Sequence, residues 1–225
     1  MSGLLDLLLP SVCPLCLMAE GPTVCVGCVE GLPRLVNPCH WCGMPVPRAG
    51  ACPHCDEHGF PHIANTVVQW AYADGVERLI GSAKAAGRPA AVRACTTLMP
   101  DLTLAGLMLP GPALVVPIPA SPGRRAGPHL GTALAKTLAK ASGLPFAPWL
   151  QATRLAREQH RLNAAQRQDN VVGLFKCAPL KGPTPERVVL VDDLLTSGAT
   201  ATAAAGTLRV AGVREVVLVV LARTL

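Results

Sequence analysis

Eight cysteines between Cys13 and Cys55, set as four C-x-x-C pairs, constrain this chain more than any other feature. Each pair turns two thiols toward one point, and zinc takes four such soft ligands in a tetrahedron. Two pairs close one site, so eight cysteines fill two. The segment repeats one plan: Cys13, Cys16, Cys25 and Cys28, then Cys39, Cys42, Cys52 and Cys55. The simplest grouping follows that order, although sequence order does not exclude a cross-braced one. His40 and His54 lie inside the knuckles, but all-Cys sites leave them no vacancy. Saturated by thiolates, neither site keeps an open position for catalysis, so the expected metal is structural zinc.

The competing reading is a disulfide scaffold, which belongs to exported chains. Met1–Pro10 is apolar, yet it has no basic n-region, long apolar run or small-residue cleavage site, so no signal peptide is expected. No stretch reaches transmembrane length uninterrupted. A cytoplasmic location without membrane insertion is the expectation. Cys95 and Cys177 stand alone in apolar surroundings and read as inert core thiols.

Composition changes near residue 62. We expect a double zinc ribbon over 1–62 and a second domain over 63–225. The first part holds two of the 20 basic residues, Arg34 and Arg48, and five of the 14 carboxylates. The remainder therefore carries the positive charge and suits a polyanion, a pyrophosphate or a nucleic acid. Aromatics are 3% of the chain, which argues against a multi-aromatic platform for stacking bases.

After the boundary, apolar runs alternate with Ala-rich helical stretches. Strands are expected over 66–73, 113–118, 171–175, 188–191 and 216–221. Helices are expected over 74–86 with Asp74 as N-cap, from about 90 to near Pro100, from Pro128 to 141, and over 199–210. Residues 151–170 form a polar, arginine-rich excursion. Strand–helix alternation with apolar strands gives an α/β fold with a parallel sheet flanked by helices.

The segment VVLVDDLLTSGAT at 188–200 carries the most chemistry. A buried strand delivers Asp192 and Asp193 to the carboxyl edge of the sheet, where α/β proteins bind ligands. Thr196, Ser197, Gly198, Ala199 and Thr200 then supply small side chains, hydroxyls and backbone N–H groups at a helix N-terminus, an anion site. The plain alternative is an ordinary strand–turn–helix with a solvated acidic pair.

This string resembles the motif of type I phosphoribosyltransferases that binds 5-phosphoribosyl 1-pyrophosphate (PRPP). With the cysteine-rich module before it, the whole chain resembles the ComF family, competence-associated ComFC-like proteins with a double zinc ribbon. The resemblance implies the type I phosphoribosyltransferase fold, with Asp192 and Asp193 on the ribose hydroxyls and Thr196 to Thr200 around the 5-phosphate. It implies a pyrophosphate loop at 117–125 and a hood carrying Arg157, Gln159, Leu162, Arg167, Asn170, Val171, Gly173 and Phe175. Here one residue separates Arg157 from Gln159 instead of three, and Arg154 also falls near the expected offset. Lys84 and Arg125 stand in two further family elements, each degraded: Ala85 replaces a tyrosine, and 125–129 reads RAGPH.

The implied reaction displaces pyrophosphate from the ribose by an unidentified acceptor. Asp192 and Asp193 would favour positive charge on the ring, and Mg²⁺ with Lys84, Arg125 and Arg157 the departing pyrophosphate. The competing class is a non-catalytic PRPP-binding module of DNA uptake, with single-stranded DNA on the basic face and competence proteins on the ribbons. Arg154, Arg157 and Arg161 also fit the solvated stripe of a surface helix. His129 and His160 read as structural.

Overall fold

The computed structural model describes residues 12–18, 23–47, 51–55, 58–85, 88–99, 113–120, 129–153, 173–180 and 182–225. In chain order the elements are α1 (Val26–Glu30), β1 (Asn65–Ala71), α2 (Asp74–Lys84), α3 (Pro89–Thr97), β2 (Ala113–Pro117), α4 (Leu130–Ser142), β3 (Leu150–Ala152), β4 (Phe175–Cys177), β5 (Arg187–Leu195), α5 (Ala199–Val210) and β6 (Glu215–Arg223). Four strands form one sheet in the order β1-β6-β5-β2, every pair parallel, while β3 and β4 pair antiparallel beside it.

The sheet is buried on both faces because its central strands are continuous apolar runs. The two-residue period of β5 and β6 sends Val189, Val191, Val217 and Val219 to one face. Val188, Leu190, Val216 and Leu218 go to the other. Helix α2 meets the first face with Val76, Leu79, Ile80 and Ala83, the i, i+3, i+4, i+7 stripe of an amphipathic helix. Helices α3 and α4 join it there, while α5 and the β3–β4 pair cover the second face.

The cysteine-rich segment seals the free edge of β1. Leu35 N–H donates to Gln69 O at 2.9 Å, Ala71 N–H to Pro33 O at 2.9 Å, and Thr66 N–H to His40 O at 2.7 Å. An edge strand left open would be a template for aggregation, so the ribbons also do the work of a sheet neighbour. The first knuckle reaches the main core directly, with Cys13, Val24 and Leu32 buried in the cluster over which α2 packs.

Several local expectations shift. Strand β5 runs through the acidic pair to Leu195, because β6 is nine residues long and pairing continues to Leu195↔Arg223. Asp74 is the first residue of α2 rather than its cap; Ala73 takes that place. His129 caps the start of α4, its ring Nδ1 accepting from Thr132 N–H at 3.3 Å, while Pro128, the expected helix opener, lies outside the described residues. Of the strand expected at 171–175, residues 171–172 lie outside the described residues, and the strand observed runs from Phe175 to Cys177 against β3, where the sequence predicts no strand. Three-residue strands are too short to show a period.

Candidate functional site

The cysteines form two separate quartets, Cys13, Cys16, Cys25, Cys28 and Cys39, Cys42, Cys52, Cys55. The grouping therefore follows sequence order and the cross-braced alternative falls. Within each quartet the sulfurs lie within 4.8 Å of one another. Cys16 and Cys25 stand 3.9 Å apart, Cys39 and Cys55 3.7 Å, and Cys42 and Cys52 3.6 Å. A tetrahedral zinc with Zn–S of about 2.3 Å requires sulfur separations of about 3.8 Å. Both quartets fit a structural zinc ion.

The protons point the same way. Burial opposes ionisation of Cys13, but the N–H groups of Cys16, Cys25 and Leu15 outweigh it and hold the thiol at about 6. The neighbouring Cys25 thiol, then burial, pushes Cys28 up to about 12. In the second quartet burial drives Cys42 well upward. Cys52 moves down despite burial, because the N–H of His54 and the neighbouring thiols favour its charge. Four adjacent thiols cannot all ionise without a cation, and a bound dication displaces their protons.

The second feature lies at the carboxyl edge of the sheet. Strand β2 leads into α4 on one face, whereas its neighbour β5 leads into α5 on the opposite face. Such a reversal opens a crevice between the two strand ends, the usual ligand position in an open α/β sheet. Pairing of β2 with β5 stops at Pro117↔Val191, so the next residue, Asp192, stands where the crevice begins. On the α5 side of Asp192 a small open cleft is lined by Asp192, Leu194, Leu195, Thr196, Gly198, Thr200 and Ala201, with Val220 of β6.

Two helix N-termini border this crevice. Gly198 sits at φ 81°, a left-handed conformation that favours glycine, and turns the chain into α5. Its carbonyl accepts the first bond of the helix, from Thr202 N–H at 2.8 Å. The N–H groups of Ala199, Thr200 and Ala201 thus belong to the first turn, where helical amides have no intrahelical acceptor. Ser197 Oγ accepts from Ala199 N–H at 3.4 Å. On the other side, a Cβ on Gly131 in α4 would stand 3.7 Å from Asp192 Oδ1. Thr196, Ser197 and Thr200 are exposed, and Asp192 is half-buried.

The two carboxylates, paired in sequence, have different surroundings. Asp193 N–H donates to Asp192 Oδ1 at 2.8 Å. The Asp193 side chain itself is 7% exposed and ion-paired with Lys84 Nζ at 2.6 Å. Cys95 lies beside that pair; burial first, then the Asp193 charge, pushes its thiol up to about 12, with Lys84 acting in the opposite sense. Asp192 faces the cleft, and Asp193 with Lys84 forms a buried strut behind it. Of the pyrophosphate loop, residues 121–125 with Arg125, and of the hood Arg157 through Val171, lie outside the described residues.

Phe60 was missed from the sequence. Its ring packs against Gly198 so closely that a Cβ there would run into it. The same ring packs against the second cysteine quartet. A single aromatic in a loop carries no periodic signal, so nothing local marked it.

Among known families, the double zinc ribbon domain matches residues 4–56, the segment that holds both quartets. A comparison with curated proteins finds no match to the chain. No helix among the described residues is long and apolar enough to cross a membrane.

Proposed function

We propose that the chain binds PRPP at the crevice between β2 and β5, as a phosphoribosyltransferase-like protein of the ComF kind with a double zinc ribbon. The observation that carries this reading is the juxtaposition of the Asp192 carboxylate with the Gly198 turn and the N-terminus of α5 at a topological switch point. On this reading the amides of residues 199–201 and the hydroxyls of Thr196 and Thr200 hold the 5-phosphate. Asp192 accepts from the ribose hydroxyls and favours positive charge on the ring as the bond to pyrophosphate loosens. Asp193, tied to Lys84, holds the strand end in place rather than meeting the sugar. Mg²⁺ would arrive with the pyrophosphate, and Asp192 is the half-buried carboxylate open to it.

A second reading is a binding module that holds PRPP without consuming it. The first ribbon favours it, because Leu17, Met18 and Val26 are exposed there by 68%, 87% and 74%, an apolar surface suited to a protein partner. Calorimetry of the zinc-loaded protein with PRPP and Mg²⁺, followed by a screen of nucleobases for pyrophosphate release, separates the readings. Binding with release supports the enzyme, and binding without release the module. Absence of binding refutes both.

A further inference from the structure

The second cysteine quartet has an unexplained neighbour. Arg223, near the end of β6, is 8% exposed, and its Nε and Nη1 are buried with no hydrogen-bond partner among the described residues. A guanidinium offers five donors and stays charged, so leaving it buried and unpaired is costly. Its surroundings supply one answer. A Cβ on Gly43, the residue after Cys42, would stand 3.4 Å from Arg223 Cδ. Burial works against the guanidinium charge, while Cys42, Cys52, Cys39 and Cys55 all favour it. The guanidinium carbon also lies 5.6 Å from the centroid of the Phe60 ring, within cation–π range.

A zinc ion with four thiolates carries a net charge of about −2, and a buried centre of that charge calls for a nearby cation. We propose that Arg223 is the outer-shell cation of the second zinc centre and that, through Phe60, it ties the 196–200 loop to occupancy of that centre. The contacts run from the Gly43 turn of the second quartet to the Arg223 side chain, from the guanidinium to the Phe60 ring, which also packs on that quartet, and from the ring to Gly198 at the entrance to α5. With zinc bound, the guanidinium faces a fixed negative charge and holds Phe60 against the loop. Without the metal centre the buried guanidinium lacks the counter-charge that its unpartnered Nε and Nη1 call for, and the cost of keeping it there favours its movement away from Phe60. Linkage is reciprocal, so an anion held by the loop strengthens the second zinc in turn. The inference does not depend on PRPP being that anion.

The test follows zinc release from the full, zinc-loaded chain into a chromophoric chelator. Alkylation of the freed cysteines, read by mass spectrometry, shows which quartet has opened. In Arg223→Met the zinc of Cys39, Cys42, Cys52 and Cys55 should bind about 10- to 100-fold more weakly, the usual effect of removing an outer-shell partner. The first zinc should be unchanged, and Arg223→Lys, which keeps the charge, should restore much of the loss. If the Met variant does not fold, Arg223→Gln removes the same charge while keeping a polar stem. In the wild type, hydrogen exchange of residues 196–201 should rise in step with loss of the second zinc and not of the first. Equal release from the wild type and the neutral variant overturns the proposal. So does a Lys variant as weak as the neutral one, or loop exchange indifferent to the second zinc.

Discussion

Replacing Lys84 by Met should destabilise the protein by about 3 kcal/mol, chiefly because of what it leaves behind. The Lys84–Asp193 separation of 2.6 Å corresponds to a gross attraction of about 6 kcal/mol at an effective dielectric near 20. Much of that attraction offsets the cost of bringing both groups out of water. Removing one partner of a buried pair costs roughly 3–5 kcal/mol, because the other charge stays buried. Lys84 is 25% exposed against 7% for Asp193, so water can enter where the ammonium stood, which favours the low end. A loss of about 3 kcal/mol lowers the Tm of a chain this size by about 6–12 °C. The assay is thermal and urea unfolding of the zinc-saturated protein, with Asp193→Asn and the double variant closing the cycle. The double variant should be more stable than Lys84→Met alone, since no buried charge remains. If Lys84→Met unfolds as the wild type does, or if the two substitutions simply add, the strut is not a coupled buried pair and the reasoning fails.

Other consequences are as direct. Gly198→Ala should lower Tm and weaken any anion bound at the loop at least tenfold, through the left-handed φ of 81° and the clash with Phe60. Phe60→Ala should relieve only the steric part, and a fully stable, ligand-competent Gly198→Ala would contradict the geometry. Cys95 should resist alkylation at pH 8 in the folded protein and react on unfolding. Its thiol is held at about 12 against an ordinary 9.0, so the folded chain binds the proton more tightly; stability should fall as pH climbs between those values. A pH-independent stability over that range would count against this burial. Metal analysis should give two zincs per chain, and their removal should cost the β1 edge its hydrogen-exchange protection, since residues 33–40 are bonded to it. One zinc per chain, or an edge unaffected by chelation, would disprove that link.

What the sequence showed and what it hid divide along physical lines. The zinc ligands were legible because C-x-x-C spacing is a local constraint that zinc imposes on its own. The central strands and helices were legible because doubly buried strands are apolar runs, and α2 displays its buried stripe at helical spacing. Asp192 and Asp193 were visible as a pair, but their separate surroundings were not. Adjacent strand residues point to opposite faces, and which face meets Lys84 depends on where α2 packs. Phe60 and Arg223 were invisible for the same reason: each acts through contacts with residues distant in the chain. The ribbons' second role, closing the β1 edge, is carried by backbone groups of residues 33–40, which have no side-chain signature.

The central claim is that the crevice at the carboxyl ends of β2 and β5 holds PRPP through Asp192 and the first turn of α5. Hydrogen–deuterium exchange of the zinc-loaded chain, with and without PRPP and Mg²⁺, tests it in place. The account predicts protection at residues 192–201, lost in Asp192→Asn and absent with ribose lacking the 5-phosphate. No protection there, or equal protection in Asp192→Asn, would contradict it.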